Sequence, residues 1–232
     1  MRPGPSLLPT SGPPGATMTA NPQCARQPKE PGKRRHVVVV PSLWTPFQHR
    51  PAVSALVAFV RRVPPDRIVF LGAPADRQAW DAFADTLAAF RAVYAGWIGV
   101  HVEDGVPAGL AGYDVTTVAE SAPVAPGWVV VSHAAQVPQE EGTSVPGGET
   151  TANVVCGGTG RLRLTGRAMP AGEGTVRAWL VFECGTLAAD PSAGTLGFGV
   201  LDIQGATVSA RPVRIEADGS FTVCGARYQP SG

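Results

Sequence analysis

Five apolar runs in this 232-residue chain end in residues that could do chemistry. In open α/β sheets, reacting groups and ligands gather in the crevice beyond the carboxyl ends of the strands. His36-Val37-Val38-Val39-Val40-Pro41 delivers Ser42 and Trp44 there, followed by Pro46 and Arg50, and brings no carboxylate. The run from Arg67 to Gly72 leads into Ala73, with Asp76 three residues on. The run from Trp97 to Val102 carries His101 and continues into Glu103 and Asp104. The run from Trp128 to Ser132 leads into His133, and the run from Asn153 to Cys156 leads into Gly157-Gly158-Thr159-Gly160-Arg161.

Asp76, His101, Glu103, Asp104 and His133 are therefore the metal-donor types near strand ends. Three protein ligands and a water make a catalytic metal site, so His101, Asp104 and His133 could hold one divalent ion. The plainer alternative is that they are ordinary polar loop residues, since no His-x-x-x-His-type spacing supports them. His36 and His49 read as surface groups flanking the first strand. The stretch from Cys156 to Arg161 looks like a phosphate cradle with a nucleophile. A cysteine phosphatase, however, needs one more residue between its cysteine and arginine than the four found here. The G-K-[ST] of a P-loop is absent, and a dinucleotide glycine pattern fails at Arg163. Trp44 could stack a base or offer a partner an aromatic surface.

These residues need a sheet to position them. Pro51 opens a helix, with Val53, Leu56, Val57 and Val60 on one face, ended by Arg61-Arg62 and Pro64-Pro65. Trp80, Phe83, Leu87 and Phe90 line a second helix. Strand, helix, strand, helix, strand over residues 36–102 implies parallel pairing. The second half turns mostly to strand. Arg161 to Leu164 alternates like a half-exposed strand, and Thr175 to Phe182 forms another. Gly197 to Ile203 and Thr207 to Ile215 pair around Gln204-Gly205. Asp218-Gly219 turns the chain before Phe221-Thr222-Val223. A Gly/Pro/Glu-rich loop occupies 136–150.

Composition narrows the class. Hydrophobic residues make up 44% and charged residues 16%, which suits a packed core. No apolar run approaches the ~20 residues of a membrane helix, and Leu7-Leu8 is too short for a signal peptide core. A cytoplasmic chain with no membrane contact is the expectation. Cys24, Cys156, Cys184 and Cys224 form no C-x-x-C pair, so scattered reduced thiols are expected. Residues 1–35 hold six basic groups against Glu30, a charge of +5, which leaves the remaining 13 basic and 17 acidic residues at −4. Eight prolines and no apolar period mark 1–35 as a disordered basic tail, with one domain over 36–230. Lys33-Arg34-Arg35 could touch nucleic acid or an acidic partner. Alternatively the tail is a solubilising leader, or translation starts at Met18. The acidic body argues against a nucleic-acid-binding face.

The order of these motifs resembles a calcineurin-like metallophosphoesterase, of the compact type common in bacteriophages and actinobacteria. The resemblance runs from about residue 36 to Tyr228. It rests on Pro41-Ser42-Leu43-Trp44-Thr45-Pro46 with Arg50, on Gly72-Ala73, and on Gly99-Val100-His101-Val102-Glu103-Asp104-Gly105. It rests also on Gly157-Gly158-Thr159-Gly160-Arg161, and on framework features: Arg91-Ala92-Val93-Tyr94, Pro126-Gly127-Trp128, Glu183-Cys184-Gly185-Thr186-Leu187 and Gly197-Phe198-Gly199-Val200-Leu201. The family implies an α/β (α+β) fold, a β-sandwich of two mixed sheets flanked by helices. It also implies a two-metal site that generates a hydroxide nucleophile.

Against that pattern, Ser42 stands where the first aspartate belongs and Trp44 where a glutamine or histidine belongs. Ala73 replaces the aspartate that bridges the metals, and Gly158 and Gly160 replace the two late histidines. A methyl group offers no lone pair, and two close cations would repel unscreened. Trp44 then reads as filler for space that metals and ligands vacated. The expectation is a catalytically degenerate fold, a pseudoenzyme with a binding or scaffolding role, a protein partner or none, and no cofactor. The rival is an active hydrolase of phosphoesters using Mn, Fe or Zn in a rebuilt, mononuclear site.

Overall fold

The structure, a computed structural model, describes residues 34–41, 43, 48–72, 77–101, 115–118, 122–131, 153–170 and 176–230. The expected basic tail lies outside it except for Arg34 and Arg35, and the 136–150 loop lies outside entirely. Arg35 is not part of a tail. It opens strand β1 (Arg35–Val40) and pairs with Ile203.

Four consecutive valines make β1 apolar on both faces, the mark of a strand covered on two sides. Val38 and Val40 face the helices, while Val37 and Val39 face a second sheet. Helix α1 (Arg50–Arg62) follows, with Pro51 in its first turn. Its buried face is Ala52, Val53, Ala55, Leu56, Phe59 and Val60, and Val57 is only half-buried. The small alanines let the helix approach the sheet, and Phe59 fills the centre of the contact. The helix stops at Val63, whose N–H donates to the Phe59 carbonyl, ahead of Pro64 and Pro65. Strand β2 (Arg67–Phe70), helix α2 (Arg77–Arg91) and strand β3 (Trp97–His101) complete the alternating unit. β1 pairs parallel with β2, and β2 with β3, as the alternation predicts.

The six-stranded sheet runs β11-β10-β1-β2-β3-β4, where β4 is Thr116–Val118, β10 is Gly197–Gln204 and β11 is Thr207–Arg214. The β10–β11 hairpin closes on Gly205 and Ala206, one residue later than the sequence pattern placed it. The five-stranded sheet runs β5-β6-β7-β9-β8, with β5 Pro123–Ala125, β6 Trp128–Val131, β7 Asn153–Cys156, β8 Leu162–Pro170 and β9 Val176–Cys184. A small hairpin, β12 (Phe221–Val223) with β13 (Ala226–Tyr228), turns on Cys224 and Gly225, both left-handed. β4, β5 and β13, three residues each, were not read as strands from the sequence.

The fold is thus a sandwich of two mixed sheets. Val37, Val39, Val69, Leu71 and Leu201 of the first interdigitate with Val130, Val155, Phe182 and Cys184 of the second. On the outer face of the first sheet, Phe59 meets Phe198, Phe221 and Tyr228 at centroid distances of 5.9, 5.9 and 5.0 Å. Phe70 meets Phe83 and Phe90 edge-on at 5.7 and 5.4 Å. Such aromatic pairs add about 0.5–1.5 kcal/mol each beyond their buried area. Among the described residues both helices pack on this face of the sandwich.

Candidate functional site

Parallel strands end on the same rim. β1 stops at Val40, β2 at Phe70, β3 at His101, β6 at Val131 and β7 at Cys156. The two sheets converge there, because a Cβ built on Gly157 after β7 would lie 3.0 Å from the Leu71 Cβ after β2. This is the crevice the sequence pointed to. His101 is the one predicted donor described in it. It is buried, and strand alternation puts its side chain with Trp97 on the face toward the second sheet. Ser42, Trp44, Ala73, Asp76, Glu103, Asp104 and His133 lie outside the described residues, so of the trio His101, Asp104 and His133 only His101 is described. Among the described residues no three His, Cys, Asp or Glu side chains group as a metal site.

The late motif is fully described, and its geometry is informative. Gly158 has φ 71° and Gly160 has φ 64°, the left-handed region that side chains resist. A Cβ on Gly160 would overlap the carbonyl oxygen of Ala193. The turn is also tied down by its backbone. The Gly160 carbonyl accepts from Thr195 N–H at 2.8 Å, the Arg161 carbonyl accepts from Gly185 N–H at 2.6 Å, and the Thr159 hydroxyl accepts from Arg161 N–H at 3.0 Å. Histidines at 158 and 160 would have to force this turn open. Gly158 and Gly160 therefore supply neither of the imidazoles that the resembled family would place at these positions.

Cys156 is no nucleophile either. Burial pushes its thiol up to about 12, the Glu183 carboxylate adds to this, and Arg163 opposes it. Burial likewise holds the Cys184 thiol well above its usual range, with Cys156 and Glu183 adding. Thiolate is the reactive form, so both are inert at neutral pH. Both are free cysteines, as expected, whereas Cys224 is disulfide-bonded, which corrects the expectation of four reduced thiols.

Three further groups take structural work that sequence reasoning missed. Glu183, at the end of β9, is buried and ion-paired with Arg163, its cross-strand partner on β8. The signal was available as opposite charges at matching positions of two adjacent strands. His49 is not a free surface group: its Nδ1 accepts from Ala52 N–H at 3.1 Å and caps α1, while its N–H donates to the Leu187 carbonyl. Arg91 at the end of α2 donates to the Gly96 carbonyl at 2.6 Å, which explains why it stands before β3. His36 lies within β1, opposite Asp202 and half-buried, rather than flanking the strand at the surface; its backbone N–H donates to the Asp66 carboxylate at 2.8 Å.

A cavity of about 430 Å³ lies elsewhere, between β11 and the β12–β13 hairpin, lined by residues such as Arg214, Glu216, Phe221 and Arg227. It includes none of the predicted site residues. No helix of the described residues is long and apolar enough to cross a membrane.

No family model matches the chain, and no characterised protein matches it in sequence. Among solved structures it is similar to Vps29 of Cryptosporidium parvum, at 15% identity and a TM-score of 0.49, over 86% of this chain and 99% of that one. It is similar to Vps29 of Chaetomium thermophilum, at 11% identity and a TM-score of 0.49, over 85% and 100%. It is similar also to Entamoeba histolytica Vps29 complexed with zinc, at 14% identity and a TM-score of 0.44, over 84% and 99%. Identities and overlaps of this size say nothing of ligand, metal or partner.

Proposed function

We propose that this chain is a pseudoenzyme: a calcineurin-like metallophosphoesterase fold, of the compact phage and actinobacterial type, that has lost its dinuclear centre and serves in binding or scaffolding. The observation that carries the reading is the glycine turn after β7. Two positions that the resembled family gives to imidazole ligands are left-handed glycines here, and one is pressed against the Ala193 carbonyl. The substitutions Ser42 and Ala73 in the sequence point the same way, since neither a lone hydroxyl nor a methyl replaces a metal-binding carboxylate. The partner on this reading is a protein, and the compartment is the cytoplasm.

One observation favours a second reading. His101 is buried at the mouth of β3, at the rim where the two sheets meet. With Asp104 and His133 it would be one third of a mononuclear hydrolytic site for Mn, Fe or Zn. Metal analysis of the purified native protein, paired with an aryl phosphate assay, separates the two. The pseudoenzyme reading expects metal well below one equivalent and no hydrolysis above the protein-free rate. One equivalent of metal, with hydrolysis abolished by His133→Ala, would sink it.

A further inference from the structure

The two large sheets have four edges among the described residues: β11 and β4 on the first, β5 and β8 on the second. An unpaired edge is a template for another chain, and proteins blunt it with short strands, proline or irregular register. β4 and β5 have three residues each, and β5 begins with Pro123 and has a register shift. β11 carries Pro212 in its interior, which has no N–H to offer. β8 has no shortening, interior proline or register shift, and its only blunting device is the charge of Arg163 and Arg167. It runs nine residues in unbroken register against β9, from Leu162 opposite Cys184 to Pro170 opposite Val176, and its only proline comes last. Arg163, Leu164, Gly166, Arg167 and Ala168 are exposed along it.

The direction of its free donors follows from one bond. Gly185 N–H donates to the Arg161 carbonyl, so 161 and 185 form a hydrogen-bonded pair. Antiparallel alternation then turns the N–H groups of residues 163, 165 and 167 toward β9. Those of Leu162, Leu164, Gly166 and Ala168 point outward, to the open edge. The side chains supply the second half of the argument. Arg163 and Arg167 share one face of β8, Arg161 precedes them, and the strand holds no acidic residue. Arg163 is held by Glu183; among the described residues neither Arg161 nor Arg167 is in an ion pair. A second copy of the chain would bring the same arginines, whereas an acidic strand would complement them.

We propose that β8 is a docking edge for an extended, acidic segment of a partner protein, which joins the five-stranded sheet as an added strand. Backbone hydrogen bonds supply affinity in this mode, and side chains at alternate positions supply selectivity. The inference stands apart from the pseudoenzyme reading, because it uses no residue of the strand-end rim.

The probe is a fluorescein-labelled peptide, Glu-Val-Thr-Val-Thr-Val-Glu, whose two glutamates match the spacing of Arg161 and Arg167. A counterpart with lysine for glutamate serves as the control, and both are titrated into the full chain by fluorescence anisotropy. The acidic peptide binds and the lysine peptide does not. Ala168→Pro removes an outward N–H without touching the β8–β9 ladder, so it keeps its thermal midpoint and loses at least about tenfold in affinity. Ala168→Ser, which keeps the N–H, binds like the parent. Arg167→Glu leaves the backbone untouched and reverses the preference between the peptides, so the test survives even if the proline variant folds poorly. The proposal is overturned if neither peptide binds, if both bind equally, or if Ala168→Pro binds as well as the parent. A dimer of the free protein that Ala168→Pro dissolves would assign the edge to a second copy and overturn the acidic partner. Metal-dependent hydrolysis, if found, would end the pseudoenzyme reading and leave all these outcomes unchanged.

Discussion

The helix-covered face of the first sheet and the β8–β9 hairpin of the second are built on opposite terms. On the first, α1, α2 and the β12–β13 hairpin bury Phe59, Phe70, Phe83, Phe90, Phe198 and Phe221 almost completely. On the second, most of β8 is exposed, and Leu164 and Val176 are the large apolar residues left open, at 39% and 66%. One region is held by close packing. In the other, only β9 is packed into the core, while β8 is held by its backbone ladder and a half-buried ion pair, and its outer edge is unpaired among the described residues. The contrast teaches where stability and recognition can be separated in this chain.

The largest test of that contrast is Phe59→Ala. It removes the ring that touches three other aromatics, and should cost about 3–5 kcal/mol in urea unfolding. A loss below about 1 kcal/mol would mean that the aromatic face is not what holds the fold.

The two buried thiols come next. Their folded pKa values are raised, that of Cys156 to about 12, so folded thiols stay protonated while unfolded ones ionise near 8.5. The unfolded state then binds fewer protons. The stabilisation from the neutral thiols is fully present below about pH 8.5 and is lost as pH rises toward 12. The slope should reach about 1.4 kcal/mol per pH unit for each thiol. Urea midpoints from pH 8 to 11 measure it, and Cys156→Ala should flatten the curve; a pH-independent midpoint would show that these thiols are not buried.

A smaller effect is expected at the hairpin's anchor. Arg163→Ala strands the Glu183 carboxylate, whose side chain is only 6% exposed, and should cost about 1–3 kcal/mol. Glu183→Gln in the same chain should recover part of that loss. If it recovers nothing, the guanidinium stem rather than the charge pair supports the hairpin. Smallest of all, Val176→Ser should stay within about 0.5 kcal/mol, since that side chain buries little. A larger loss would place Val176 in a contact and shrink the proposed difference between the two regions.

Legibility followed the same division. The valine run of β1, the apolar stripes of α1 and α2 and the βαβαβ order were written in periodicity, because burial on a parallel sheet demands it. Leu164 lies opposite Phe182, on the face toward the first sheet, yet stays 39% exposed, because an edge strand leaves that face partly uncovered. His49 looked like a loop histidine because capping depends on where the helix begins, which composition does not reveal. Glu183 looked like framework because its partner lies twenty positions away in sequence.

By itself, then, the sequence determined the strand ends, the absence of carboxylates at Ser42 and Ala73, and the glycines at 158 and 160. Residue type alone decides whether a lone pair is available. Only the tertiary structure decided that those glycines sit in a left-handed turn locked against residues 193–195, and that β8 and β11 are sheet edges among the described residues. Both depend on which distant backbones meet, and local patterns of side chains carry no record of that.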